Sequence, residues 1–133
     1  MKISFLIDTD WIIHYLNGNR NIVAKLRSLE KDGLTISVIS LAELYEGIYY
    51  STNPDENKRA LDDFLSGVSI IGVEDEICRL FGKERGRLRQ VKKMIGDFDL
   101  LIASTCLHHN LTLLTNNRKH YKMVEGLKIL SLL

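Results

Sequence analysis

The amino-acid sequence predicts a three-layer α/β/α fold, in which helices cover both faces of a parallel, roughly five-stranded sheet. Short apolar runs typical of buried strands alternate along the chain with longer helical patterns, as expected of a parallel sheet. A length of 133 residues suits one domain over 1–133. With 45% hydrophobic and 26% charged residues, the composition is that of a globular protein.

The expected elements follow one another in regular order. Apolar, often β-branched runs predict strands over 3–7, 34–39, 68–73, 111–114 and 127–130. Apolar positions at helical spacing predict helices over 11–16, 22–30, 40–50, 55–65, 74–94, 97–108 and 117–124. Glycines at 18, 33 and 96 and the single proline at 54 supply the breaks between them.

Charge, cysteine content and hydropathy exclude several classes of protein. The formal net charge of +1 does not by itself indicate a nucleic-acid partner. The segment 79–93, however, contains seven basic residues and a single acidic one, Glu84. Cys78 and Cys106 show no metal-ligand spacing, so we expect two reduced thiols. No apolar run is long enough to span a bilayer, so we expect no membrane association and a cytoplasmic location.

Polar residues cluster where the carboxyl ends of the central strands are expected. They are Asp8 and Asp10 after the first strand, Glu43 after the second, Asp97 and Asp99 before the fourth, and Asn117 after it. Ligands of open α/β sheets bind at this edge. Carboxylates held close together repel one another unless a cation neutralises them. An all-oxygen set of ligands favours Mg²⁺ or Mn²⁺ over zinc.

Each acid also has a purely structural explanation. Asp8, Asp97 and Asp99 stand where helices begin, and Asp is a favoured N-cap residue. The segment 40–43, Ser-Leu-Ala-Glu, fits a capping box in which Glu43 bonds to the backbone. Caps account for acids at the starts of helices, but they do not account for the shared edge of the sheet.

Four segments in this order resemble the motifs of PIN-domain ribonucleases of the VapC toxin type. They are LIDTD at 6–10, SVISLAEL at 37–44, IGDFDLLIA at 95–103 and LLTNN at 113–117. The resemblance covers nearly the whole chain, from about residue 3 to about residue 130. It implies an endoribonuclease, the toxin of a type II toxin–antitoxin pair, that hydrolyses RNA without a covalent enzyme intermediate.

Position by position, the resemblance implies a set of metal ligands. Asp8, Glu43 and Asp99 match the family's three acidic ligands. Asn117 matches the fourth ligand position of the family. Because Asn117 is neutral, one well-held Mg²⁺ ion is favoured over two ions. Mn²⁺ is the alternative to Mg²⁺. Asp97 is an additional acid that ranks below Asp99.

The resemblance also implies partners and substrate contacts. Thr9 and Thr115 match small hydroxyl residues near the metal edge, although packing or turn hydrogen bonds explain them equally well. Toxins of this type are homodimers neutralised by a cognate antitoxin. The aromatic cluster over 44–50 is the surface expected to bind the antitoxin, together with the next helix.

Basic residues near the acids are candidates for contacts with RNA phosphates. Arg85, Arg89 and either Lys92 or Lys93 share one face of the predicted helix over 74–94, and Arg118 follows Asn117. A solvated helix face remains the structural alternative. For His108, His109 and His120, solvated polar side chains are expected.

Two other classes of function remain open at this point. A haloacid-dehalogenase-like phosphatase would use Asp8 as its nucleophile, but Ile12 departs from its motif and Glu43 would have no role. A non-enzymatic receiver-like domain needs an acceptor Asp after a middle strand, and Asp55 instead follows Asn-Pro.

Overall fold

The computed structural model describes residues 2–132, which form five strands and seven α-helices. The strands are β1 (Phe5–Ile7), β2 (Leu34–Ser37), β3 (Ser69–Ile71), β4 (Thr112–Leu114) and β5 (Lys128–Leu130). The helices are α1 (Thr9–Leu16), α2 (Arg20–Leu29), α3 (Val38–Tyr49), α4 (Pro54–Leu65), α5 (Asp75–Gln90), α6 (Asp97–His109) and α7 (Arg118–Tyr121). A 3-10 turn, Glu30–Asp32, leads into β2.

The sheet is parallel throughout, with the strand order β3-β2-β1-β4-β5. Its faces are covered by different helices because successive side chains of a strand point to opposite sides. Ile7 packs in a core cluster with residues of α1, α2, α3 and α4, and Leu6 packs in a second cluster with residues of α5, α6 and α7. The predicted three-layer α/β class is confirmed.

Strand register brings the ends of β1 and β4 side by side. Ile7 pairs with Leu114, and the Asp8 amide donates to the Leu114 carbonyl at 2.9 Å. The residue that follows β1 is therefore Asp8, and the residue that follows β4 is Thr115. Two residues that are far apart in sequence become neighbours at the middle of the sheet edge.

The predicted boundary between the second strand and its helix is wrong. β2 ends at Ser37 and α3 already begins at Val38, whereas the sequence predicted a strand to 39. Val38 and Ile39 are β-branched and resemble strand residues, which hides the start of the helix. The Ser37 hydroxyl accepts a hydrogen bond from the Ile39 amide at 3.0 Å, so Ser37 is the N-cap. The capping box over 40–43, which was the structural alternative for Glu43, does not form because Ser40 already lies inside α3.

Replacing Ser37 with Ala is expected to destabilise the fold by about 1 kcal/mol, the usual cost of losing an N-cap. Ser37 contacts none of the candidate acids through its side chain, so RNA cleavage per folded molecule should stay unchanged. Urea unfolding measures the first quantity and a cleavage assay the second. A Ser37→Ala protein as stable as the wild type would contradict the capping assignment.

The predicted end of the helix over 74–94 is also wrong, since α5 stops at Gln90. Lys92 adopts a left-handed backbone conformation with φ of 57°, and the Lys93 amide donates to the Leu88 carbonyl at 2.9 Å. These are the bonds of a Schellman motif, with lysine at the position that glycine usually occupies. Lys92 therefore lies beyond α5 and does not continue its basic face.

Within residues 2–132, no helix is long and apolar enough to cross a membrane. Both cysteines are free thiols, Cys78 exposed and Cys106 buried. Burial raises the pKa of the Cys106 thiol above its ordinary range, so this side chain behaves as a small apolar group in the core.

Candidate active site

Asp8 lies at the end of the central strand β1, and its side chain is buried with only 4% exposed. Its Oδ2 accepts a hydrogen bond from the Thr115 hydroxyl at 2.8 Å, and its Oδ1 accepts one from the Thr9 amide at 2.9 Å. Burial, with a smaller contribution from the charge of Asp10, raises the pKa of Asp8 to about 7 although these hydrogen bonds oppose the rise. An unneutralised carboxylate is thus costly at this position.

A tyrosine links Asp8 to Asp99, which lies in the first turn of α6. The Tyr121 hydroxyl is 3.1 Å from Asp8 Oδ1 and 3.2 Å from Asp99 Oδ1, and the whole Tyr121 side chain is buried. A phenol has one proton to donate, so it satisfies one of the two carboxylates at a time. Sequence reasoning missed Tyr121, because it ends a four-residue helix and resembles an ordinary core aromatic residue.

Glu43 reaches the same edge from α3. Thr9 Oγ1 lies 2.9 Å from Glu43 Oε1 and 2.8 Å from Ser40 Oγ. Burial raises the pKa of Glu43, with the charge of Asp99 adding to the effect. Thr9 therefore contacts Asp8 through its amide and Glu43 through its hydroxyl, which makes it a bridge between two of the three candidate acids.

The loop after β4 is held against this edge by Asp10. The Asp10 carboxylate accepts hydrogen bonds from the backbone amides of Trp11 at 2.7 Å and Asn116 at 3.0 Å. The Asn117 amide donates to Thr115 Oγ1 at 3.0 Å, and Asn117 is the residue that precedes α7. Asp10 was absent from the set of ligands, and its contacts give it the role of fixing this loop.

Asp97 is separated from the other acids. Its side chain is 78% exposed and forms an ion pair with Arg85 Nη2 at 2.6 Å. Arg85 also donates to the Ile95 carbonyl at 2.9 Å and is itself 14% exposed. This pair ties α5 to the segment before α6, and it occupies the guanidinium that was a candidate for RNA phosphates.

The other candidate basic residues lie at the surface. Arg89, Lys92 and Arg118 are all exposed. Arg118 Nη2 is 3.4 Å from the Ile129 carbonyl, a weak contact that leaves most of its donors to solvent. These three side chains are available to a polyanion.

The acidic residues fit a divalent cation of the magnesium type. Within residues 2–132, no lysine, arginine or histidine forms a salt bridge with Asp8, Glu43 or Asp99. One ligand oxygen from each of these three acids does not fall within 4.8 Å of the other two. The donors are oxygens only, which suits Mg²⁺ or Mn²⁺.

Replacing Tyr121 with Phe is expected to destabilise the protein by about 1 to 2 kcal/mol, because a buried carboxylate loses a hydrogen-bond donor while the ring still fills its place. Tyr49, with 69% of its side chain exposed, provides the matched control. Urea unfolding of the Tyr121→Phe and Tyr49→Phe proteins measures both effects. Equal stability of the two variants would show that the bridge to Asp8 and Asp99 contributes nothing.

A family model described as the PIN domain matches residues 5–126 of the chain. The chain belongs to the PIN domain family. The resemblance inferred from the four motifs is thereby confirmed. The phosphatase and receiver alternatives are wrong, and the observed strand order also differs from the 2-1-3-4-5 order of receiver domains. Nucleases of the PIN family depend on divalent metal ions.

Named relatives of this PIN domain match it over almost its full length. It is 35% identical over 125 residues to Ribonuclease VapC2 of Rickettsia felis, covering 92% of this chain and 93% of the relative. It is 31% identical over 126 residues to Ribonuclease VapC1 of Haemophilus influenzae, covering 93% and 94%. The solved structure of Rickettsia felis VapBC2 bound to a promoter DNA fragment superposes with a TM-score of 0.93 at 32% identity, covering 98% of this chain and 99% of that chain.

Proposed function

We propose that this PIN domain is a Mg²⁺-dependent endoribonuclease that acts as the toxin of a type II toxin–antitoxin pair. The observation that carries the proposal is the buried Asp8 carboxylate at the end of the central strand, joined through Tyr121 to Asp99. Ribonuclease relatives that match more than nine-tenths of the chain support the same activity.

Asp8, Glu43 and Asp99 are the side chains we assign to the metal ion, with Asn117 as a weaker neutral ligand. Asp97, which pairs with Arg85 instead, is left out of this set. When bound, the ion supplies an activated water for in-line attack on a phosphodiester. Thr115 and Thr9 fix the orientations of Asp8 and Glu43 through the hydrogen bonds already described. A carboxylate beside that water would accept its proton.

RNA would approach over basic residues that flank the acidic edge. Arg89 and Lys92 near the end of α5, and Arg118 at the start of α7, are exposed and carry positive charge toward solvent. Such residues offset the repulsion between phosphates and the acids and make binding depend on salt. Arg85 contributes indirectly, since its guanidinium holds Ile95 and Asp97.

An antitoxin is the protein partner we propose, by analogy with the complex of the Rickettsia felis relative. Tyr49 and Tyr50 on and after α3 are 69% and 89% exposed, which is unusual for side chains of this size. A separate groove of about 300 Å³ between α1, α3 and α4 is lined by Ile13, Leu16 and Gly47 among others, and it reaches Glu43. A homodimer is the assembly that the family resemblance implies.

Induced expression in a bacterium tests the proposal most directly. The wild-type chain and the Asp8→Asn variant are expressed in parallel, and cellular RNA is mapped for new 5′ ends. We expect growth arrest and new ends with the wild type alone, both reversed by the cognate antitoxin. A wild-type chain that produces no new RNA ends despite being folded would refute the proposed activity.

A further inference from the structure

A second cluster of metal-ligating side chains lies away from the acidic edge. Glu74, His108 and His109 each present one ligand atom, and these atoms all lie within 4.8 Å of one another. Among residues 2–132, this is the group of histidine, cysteine and acidic side chains that meets that spacing. The sequence predicted solvated histidines here because Glu74 is distant in the chain.

The helix hairpin formed by α5 and α6 creates the cluster. His108 and His109 end α6, where Asn110 takes a left-handed conformation and turns the chain toward β4. Glu74 immediately precedes α5 at its N-cap position, yet its side chain makes no capping hydrogen bond. Its carboxylate is therefore free to face the two imidazoles rather than the helix backbone.

The geometry is close to that of a bound ion. His109 Nε2 and Glu74 Oε1 are 3.6 Å apart, and two ligands of a tetrahedral zinc ion at bond lengths of about 2.0–2.1 Å are separated by roughly 3.4 Å. The His108 and His109 rings have centroids 4.7 Å apart and planes at 70°, so the two rings do not block each other. The other pairs of ligand atoms lie within 4.8 Å, so small side-chain rotations would bring them to the same separation.

The chemistry of the cluster differs from that of the acidic edge. Two imidazoles and one carboxylate, with a fourth position open to water, are a common zinc set, while the hard ion Mg²⁺ prefers oxygens alone. The C-terminus of α6 carries a partial negative charge that favours a cation. Asp99 is ten residues from His109 on the same helix, about 15 Å by the helical rise.

We propose that Glu74, His108 and His109 form a Zn²⁺ site that fastens the start of α5 to the end of α6, separate from the acidic edge. The ion would stabilise the hairpin whose other end carries Asp99. This site would select a transition-metal ion because of its imidazole ligands, whereas the acidic edge would select Mg²⁺ because its ligands are all oxygens. The chain would then have two metal sites for two chemical classes of ion.

Calorimetric titration of the full, untagged chain with ZnCl₂, in excess Mg²⁺ to occupy the acidic edge, tests the site. We expect one Zn²⁺ per chain. Zn²⁺ should bind at least tenfold more weakly to the His109→Ala, His108→Ala and Glu74→Gln variants. Losing even an outer partner of a metal ligand lowers affinity about tenfold to a hundredfold. His14→Ala, which removes another exposed histidine, should bind as the wild type does.

Two further measurements keep the site distinguishable from the proposed nuclease. Co²⁺ should give the absorption of a tetrahedral ion in the wild type and in Asp8→Asn, but not in His109→Ala. Mg²⁺-dependent RNA cleavage should be unchanged in His109→Ala and Glu74→Gln. Zn²⁺ binding that survives in all three site variants, or that is lost in Asp8→Asn instead, would overturn the proposal, as would a wild-type chain that binds no Zn²⁺.

Discussion

Replacing Asp8 or Asp99 with Asn is expected to lower Mg²⁺-dependent RNA cleavage by roughly a thousandfold or more. A bound metal ion contributes several kcal/mol of transition-state stabilisation, and about 4 kcal/mol corresponds to three orders of magnitude in rate. Asn preserves the shape of the side chain, and its amide oxygen still accepts a hydrogen bond from Tyr121. At position 8 its NH₂ group donates to the Thr115 hydroxyl oxygen, which reverses the direction of the wild-type bond, so the fold should be retained. Cleavage of a labelled RNA under single-turnover conditions measures the loss.

Asp97 provides the matched control for this experiment. It undergoes the same chemical change, lies on the same helix two residues before Asp99, and has its side chain 78% exposed beside Arg85. Asp97→Asn should therefore cleave RNA within a few-fold of the wild type. If Asp97→Asn is inactive while Asp99→Asn is active, the assignment of the ligand on α6 is reversed. If both Asp8→Asn and Asp99→Asn are fully active, the acidic edge is not the nuclease site.

The metal-free protein is expected to lose stability as pH rises from about 5 to about 8 because of Asp8. Its pKa in the fold is raised to about 7, so the folded state holds the proton more tightly than the unfolded chain does. The contribution of this carboxyl to stability is complete below its unfolded pKa and is lost progressively up to the folded value. For one group with this rise, the part of the change that falls between pH 5 and pH 8 is about 2–3 kcal/mol.

Urea unfolding in EDTA at several pH values measures this effect by comparing the wild type with Asp8→Asn. The difference in unfolding free energy between Asp8→Asn and the wild type should shift by about 2–3 kcal/mol in favour of Asp8→Asn between pH 5 and pH 8, since Asn does not titrate. The exposed Asp97→Asn variant should follow the wild-type profile. Mg²⁺ should restore stability to the wild type at high pH and leave Asp8→Asn unaffected. Parallel profiles for Asp8→Asn and the wild type would show that Asp8 is not the titrating group.

Several features of the fold follow from local sequence. The alternation of strands and helices and the burial of Leu6 and Ile7 depend on short apolar runs, which are legible without tertiary information. Asp8 and Asp99 emerged as candidates for a related reason, because the carboxyl edge of a parallel sheet is where side chains converge. The helix boundaries at Ser37 and Gln90 were predicted wrongly. β-branched residues begin α3, and a lysine with a left-handed backbone conformation, rather than a glycine, follows the end of α5.

The sequence by itself determined the α/β class, the family and the candidate acids, since these depend on periodicity and on four motifs, each of which is contained in one short segment. Only the tertiary structure decided which polar groups meet. Tyr121 contacts Asp8 across 113 residues, and Asp97 turns away to Arg85 rather than joining Asp99. Glu74 reaches His109 only because α5 and α6 form a hairpin. Such contacts depend on helix packing and side-chain direction, which no local pattern of residues encodes.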